Sequence, residues 1–277
     1  MQSTSTAGRN TYSLTKLNWM AAVIMASLHV IAVWALFHFT WTRFLALIVM
    51  HWVVVGLGIS LGYHRLLTHR GFKTSKPFEY FLALCGSFAL EGGPIFWVAT
   101  HRVHHQHSDK EGDPHTPREG GFWAHIGWVL FGTRLHNQDP VSSKYAPDLG
   151  ADPFYRWLTA WHWVPMTVVA ALVVAIFGWG MAAWVMCLRI VLGLHITWLV
   201  NSATHMWGSR RFETRDDSRN SWWVALLTFG EGWHNNHHAH PVSARHGLTF
   251  WELDISWLTL KLLRSLGIVW DVRVAKV

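Results

Sequence analysis

Four apolar runs dominate the chain: residues 19–38, 43–62, 160–178 and 180–202. Each approaches the ~20 residues that an α-helix needs to cross a hydrocarbon layer about 30 Å thick. The links within each pair are short, Phe39 to Thr42 and Gly178-Trp179-Gly180. The pattern therefore predicts two helical hairpins with both chain ends on one side. Residues 78–99 are also apolar, but Glu79, Glu91 and Gly92-Gly93-Pro94 interrupt them. That stretch reads as a buried or interfacial helix, because an odd number of spans would part the polar clusters on either side of it. The 248–270 run, with Trp251, Trp257 and Trp270, reads as a segment on the membrane surface. Residues 1–17 are polar and Ser/Thr-rich, which suits a short cytosolic tail rather than a signal peptide. No repeat, linker or second domain is visible. The expected architecture is one all-α integral membrane domain, residues 1–277, with four transmembrane helices and a cytoplasmic helical cap from 63–159 and 203–277.

Composition agrees. The chain is 51% hydrophobic and only 14% charged, a low charge fraction for a soluble globule. Its 20 tryptophans suit membrane interfaces, where an apolar ring with one N–H donor is at home. All but two of the 23 Lys and Arg residues, Arg43 and Arg189, fall in segments that the hairpins place on one side. The positive-inside rule makes that side cytoplasmic, and a bacterial inner membrane is the expected location. The net charge of +7 carries no Lys/Arg run beyond Arg210-Arg211, so a lipid surface rather than nucleic acid is the expected partner. Cys85 and Cys187 both lie within apolar runs and suggest neither a disulfide framework nor an iron–sulfur site.

The 20 histidines change the picture most. Three clusters stand at the ends of apolar runs or in the cap: His64-Arg-Leu-Leu-Thr-His69, His101-Arg-Val-His104-His105 and His234-Asn-Asn-His237-His238. At this histidine frequency an HxxHH pattern is expected far less than once, yet two occur. Positions i, i+3 and i+4 share a helix face, so each HxxHH presents three imidazoles in one direction. The i, i+5 pair His64 and His69 needs a helix end or a turn to do the same. Adjacent buried imidazoles without a metal would be costly. Imidazole suits Fe, Zn, Cu and Ni, and eight rings fit two ions better than one. Asn201-Ser-Ala-Thr-His205 adds a ninth histidine, with Asn201 one helical turn earlier. Spacing alone leaves open whether His205 ligates a metal or supports a ligand. A metal transporter would hold its ligands at mid-membrane, facing a pathway, whereas these lie at span ends.

The motifs Gly62-Tyr63-His64-Arg65-Leu66, Gly92-Gly93-Pro94-Ile95-Phe96-Trp97, His101–His105, Asp113-Pro114-His115, Asn201–His205 and Glu231-Gly232-Trp233-His234 resemble those of membrane fatty acyl desaturases. The likeness is strongest to the Δ9 class, the stearoyl-CoA desaturases and bacterial acyl-lipid Δ9 desaturases. It runs in order from about residue 50 to residue 255. It implies nine histidine ligands around two iron ions (Fe2+/Fe3+): His64, His69, His101, His104, His105, His205, His234, His237 and His238. It also implies a water-linked asparagine at Asn201. The implied reaction consumes O2 and two electrons, removes hydrogen at C9 and then C10 of a saturated acyl chain, and leaves a cis double bond and two waters. Nitrogen ligands tolerate such an oxidant, whereas thiolates would be oxidised by it. A lipid or alkyl hydroxylase of the same superfamily is the rival reading. The acyl carrier, CoA or glycerolipid or carrier protein, stays open. The chain has no HPGG, no GxGxxG in a βαβ context and no cysteine cluster. Electrons are therefore expected from a separate ferredoxin or cytochrome b5, docking on the basic face.

Weaker expectations concern single residues. Stepping back by fours from His64 gives Ser60, Gly56 and Trp52, a line that would form an acyl tunnel closed by Trp52 or else ordinary helix packing. Glu111, Asp113 and Glu231 are candidates to accept N–H bonds from ligand imidazoles. Lys110, Arg118 and Arg156 could hold a phosphate headgroup, although a plain positive-inside role explains them too. His107, His115, His125, His136, His240 and His246 are expected not to ligate, and His29, His51, His162 and His195 to be packed and hydrogen-bonded.

Overall fold

The computed structural model describes residues 17–132 and 144–276, so most of the expected N-terminal tail, and His136, lie outside the described residues. The chain is mostly helical, and three helices are long and apolar enough to cross a membrane: α1 Trp19–Leu36, α2 Trp41–Thr68 and, further along, a third at Trp163–Met206. Polar side chains start the first two. Asn18 accepts the N–H of Ala21 at 3.1 Å, and Thr40 that of Arg43 at 3.2 Å, satisfying donors that a helix start leaves unpaired.

Helix α2 changes its winding partway. Trp41–His51 is α-helical, and Trp52–Thr68 continues as a π-helix. It extends past the expected end at residue 62, so the first histidine pair rides on the helix itself. Between the first two spans and the third lie the two-residue strand β1 Lys73–Thr74, then α3 Lys76–Ser87, α4 Pro94–His107 and α5 Pro153–Ala160. The expected 78–99 element is thus two helices, parted by a turn in which Leu90 and Gly92 take positive φ of 62° and 95°. Helix α3 packs closely against α2 because Gly58 meets it without a side chain. A Cβ at Gly58 would collide with the backbone of Cys85 and Gly86.

The third long helix, α6 Trp163–Met206, would be about 66 Å long if straight, at 1.5 Å per residue. It is broken at Gly178, whose φ of 79° and ψ of 170° no helical residue adopts. Gly180, just past the break, lies against the Arg43 guanidinium at the start of α2. Trp184 donates its indole N–H to the Ala35 carbonyl at 2.9 Å. Ala32, Ala35, Leu47, Trp184, Leu188 and Val191 form a buried cluster joining the three elements there. Outward apolar residues such as Val30, Phe37, Ile176 and Phe177 remain exposed, as a lipid-facing surface requires.

A larger core unites the cap. Leu61 and Tyr63 of α2, Leu82 of α3, Val98 of α4, Leu158 of α5 and Leu260 of the later helix are all buried in it. After α6 come α7 Trp222–Leu227, α8 His234–Ala239 and α9 Ile255–Ser265, followed by β2 Val269–Trp270. Strand β2 pairs antiparallel with β1, Lys73 opposite Trp270, tying the C-terminal segment to the chain just after α2. The 248–270 run is therefore helical only over its middle, while Phe250, Trp251, Leu258 and Leu262 stay exposed.

Candidate metal centre

The π-winding of α2 resolves the awkward spacing of its histidines. The His69 backbone N–H donates to the His64 carbonyl at 3.1 Å, the i→i+5 bond of a π-turn. One wide turn therefore brings the two rings together edge to face, with centroids 4.8 Å apart. Helix α4 brings His101, His104 and His105, α8 brings His234, His237 and His238, and His205 comes from the last turn of α6.

These nine side chains form two groups. His64, His69, His101, His105 and His237 offer nitrogens that all lie within 4.8 Å of one another, and so do His104, His205, His234 and His238. Each HxxHH helix divides its histidines the same way. The i, i+4 pair goes to one group and the residue between them to the other: His101 and His105 against His104, His234 and His238 against His237. Two short helices thus cross-link both groups.

The donor atoms fit metal ions. In the five-membered group, successive Nε2 atoms of His64, His237, His105 and His101 lie 3.1, 3.0 and 3.1 Å apart. In the other, Nε2 of His234 and of His205 lie 3.0 Å apart. Neighbouring nitrogens on an ion with bonds of about 2.1 Å would stand about 3.0 Å from each other. In four of the rings a carboxylate fixes the proton on the nitrogen that faces away from the group. His64 Nδ1 faces Glu231 at 2.6 Å, His104 Nδ1 faces Asp113 at 3.0 Å, His205 Nδ1 faces Asp109 at 2.8 Å and His238 Nδ1 faces Asp216 at 2.9 Å. A carboxylate can only accept, so each Nδ1 carries its proton there and each Nε2 points its lone pair inward. The Nε2 atoms of His69 and His238 are buried with no hydrogen-bond partner. Nine neutral nitrogens and no thiolate make a set that suits iron and other imidazole-binding metals.

Electrostatics favour the neutral form of six of the rings, while the Asp113 carboxylate holds His104 above the usual histidine range. Burial first, then the neighbouring imidazoles, hold His69, His101, His105, His234 and His237 well below the usual histidine range. Burial pushes His238 down to about 4 despite Asp216 beside it. Burial would raise Glu231, but Arg65, His246 and His64 hold it well below the usual carboxylate range. Glu231 is a hub. Its Oε1 takes Arg65 Nε at 3.0 Å and Nη2 at 2.9 Å, as well as the Ser60 hydroxyl, and its Oε2 faces His246 Nδ1 at 3.1 Å. Arg65 is fully buried and also pairs with Asp254 at 3.0 Å.

Asp113 and Glu231 thus stand where the sequence suggested, whereas Glu111 is exposed and belongs to no histidine pair among the described residues. Asp109 and Asp216 were not singled out by the sequence reading. Asp109 lies just past the end of α4 and Asp216 in a loop, and no periodicity marks either. His115 and His246 sit closer to the centre than expected, with His115 4.4 Å from His104 and His246 4.5 Å from His237, ring to ring. Arg118 is tied to Asp217 at 2.8 Å and Arg156 to the Gly150 carbonyl at 2.9 Å.

The structure packs the line of Trp52, Gly56 and Ser60 among neighbouring side chains. Ser60 is buried and bonded to Glu231 and to Ser256, and the space over Gly56 is filled by the Trp52 and Phe229 rings. The apolar cavity lies elsewhere, between α1, α4, the 123–132 segment and the second half of α6. It measures about 270 Å3, and Trp97, His101, Leu194, Trp198 and Asn201 are among its walls. Trp97 stacks on His101 at 5.0 Å between centroids. Its indole N–H donates to Glu91 at 2.9 Å, and burial pushes Glu91 up to about 7.

Comparison with known proteins agrees with this geometry. A family profile described as "Fatty acid desaturase" matches residues 39–263. The chain is 45% identical to an sn-1 stearoyl-lipid 9-desaturase of Anabaena variabilis, over 94% of this chain and 95% of that protein. It is 42% identical to an sn-2 palmitoyl-lipid 9-desaturase of Nostoc sp. strain 36, over 91% and 89%. An acyl-CoA C20 Delta5-desaturase of Anemone leveillei is 41% identical over 91% and 80%. The chain belongs to the fatty acid desaturase family.

Proposed function

We propose that the chain is a multi-pass membrane desaturase that introduces a cis double bond at C9–C10 of a saturated acyl chain, using two iron ions, O2 and two external electrons. The observation that carries this reading is the pair of inward-facing histidine groups beside an apolar cavity that shares His101 with one of them. One iron would be held by His64, His69, His101, His105 and His237, the other by His104, His205, His234 and His238. Asn201, on the cavity wall one turn before His205, would reach an ion through a water molecule. Bound iron supplies the O2 activation that removal of hydrogen from an unactivated methylene requires. The chain does the rest. The four carboxylates fix the tautomer and direction of their imidazoles, Trp97 and Leu194 confine the acyl chain, and the apolar walls exclude water.

The break at Gly178 supports four membrane passes, with α6 counted twice and the metal centre, both chain ends and most basic residues on the cytoplasmic side. The 9-desaturase names of the two cyanobacterial relatives favour C9. Relatives named for lipid-bound and for CoA-bound acyl groups both occur, so either carrier fits. A separate ferredoxin or cytochrome b5 would deliver electrons, and a surface depression lined by His69, His105, His238 and Arg102 gives such a donor the shortest approach. Expression in a desaturase-deficient host, followed by gas chromatography and mass spectrometry of lipids and acyl-CoA separately, tests the reading. The expected product has lost two hydrogens at C9–C10. Gain of one oxygen would establish the hydroxylase instead.

A further inference from the structure

Three histidines outside the metal centre form a continuous hydrogen-bonded chain inside the apolar part of the molecule. His29 of α1 places Nδ1 2.7 Å from the Met25 carbonyl and Nε2 3.0 Å from His195 Nε2 of α6. His195 Nδ1 lies 3.0 Å from His125 Nε2, and His125 Nδ1 lies 3.1 Å from the Ser202 hydroxyl. Ser202 in turn can donate to the Trp198 carbonyl at 2.8 Å. His195 uses both ring nitrogens toward different partners, so the three rings do not converge as metal ligands do. Among the described residues no carboxylate, Lys or Arg pairs with any of them.

Counting protons shows what the chain can do. The Met25 carbonyl only accepts, so His29 carries a proton on Nδ1. Each of the two ring-to-ring contacts needs one further proton. If Ser202 donates to His125, three N–H groups complete every bond and all three rings are neutral. If Ser202 turns to the Trp198 carbonyl, His125 must donate to it. Four N–H groups on three rings then carry one positive charge. Every contact is made in both states, which differ by one proton taken up from outside, a hydroxyl rotation and shifts of protons along existing bonds. Buried ionisable groups in a span are costly and mark function by default.

We propose that His29, His195, His125 and Ser202 form a one-proton reserve beside the metal centre, filled and emptied at Ser202. The place fits. Met25, Trp198 and Asn201 line the cavity, and the chain runs behind that wall. Ser202 adjoins Asn201 and stands three residues before His205. Reducing O2 to two waters takes four electrons and four protons. Two of each come from the substrate's hydrogens, two electrons come from the one-electron donor, and two protons must reach the centre. The reserve supplies one of these without opening the cavity and refills between turnovers. The inference rests on the desaturase reading above.

His195→Gln keeps a donor and an acceptor at the junction but cannot pass a proton through itself. In the zinc-loaded full-length protein in lipid, labelled with 15N-histidine, the three wild-type rings should shift together as pH is lowered. In His195→Gln the His29 and His125 signals should shift independently. With iron bound, His195→Gln and Ser202→Ala should each lower turnover at least about tenfold, a modest loss for a proton-transfer group. Both should also release more hydrogen peroxide per O2 consumed at unchanged iron content. Independent titration in the wild type, or wild-type coupling of O2 to product in both variants, would overturn the reserve. The desaturase reading fails only if the wild type gives no desaturated product, and the zinc-protein spectra do not depend on that.

Discussion

Glu231 shows how much of the centre depends on residues that touch no metal. Its carboxylate holds the Nδ1 sides of His64 and His246 while taking two bonds from a fully buried Arg65. Glu231→Gln keeps the shape but removes the charge that fixes the His64 tautomer. Loss of such a support costs roughly 10–100-fold in metal affinity. Iron content after dialysis against graded chelator should show that loss, and Glu111→Gln, at an exposed position, should show none. Acid acts on the same contacts. His238 is held at about 4 in the fold against an ordinary 6.5, so between those values the unfolded ring binds a proton that the native ring refuses. Its contribution to stability is complete above 6.5, declines as pH falls through that window and is gone below about 4. Thermal melting and bound iron should both decline over the same interval. A centre still fully loaded near the lower value would contradict the neutral-imidazole assignment.

At the scale of elements, the crossing of α2 and α3 is set by glycine. A methyl group at Gly58 would enter the backbone of Cys85 and Gly86, atoms that cannot move aside as a side chain tip can. Gly58→Ala should therefore destabilise the fold by about 1–3 kcal/mol or more, read as a lower melting temperature in detergent, and should shift His64 relative to His101. The amphipathic signal of the two HxxHH helices was legible in the sequence, because 3.6-residue periodicity is local. The π-winding of α2 was not. It depends on wide-turn bonds that no residue type marks, and it is what aligns His64 with His69.

At the scale of the molecule, the proposed function makes the cavity the determinant of which acyl chain reacts. Leu194 is buried in the cavity wall, so Leu194→Trp should shorten the acyl chains accepted. Trp52→Ala should leave the chain-length profile of the product unchanged, and a shift toward longer chains would restore the tunnel along α2. The basic residues concentrated in the cap predict that turnover with an acidic electron donor falls as salt rises, because attraction between exposed charges is screened within about 10 Å at 0.1 M. Turnover indifferent to ionic strength would remove electrostatic docking from the scheme.

The sequence by itself determined the apolar runs, the two HxxHH faces and eight of the histidines, since each follows from periodicity or residue type along a short stretch, while His205 joined them through the family resemblance. The pairing of His104 with His205 or of His64 with His237 was beyond its reach, because these residues lie 101 and 173 positions apart. Only the folded chain decided how the nine divide five and four, and which carboxylates stand behind them. It also decided that the cavity opens beside His101 rather than along α2. Those are consequences of helix winding and of side chains meeting across the core, and neither is encoded in any one segment.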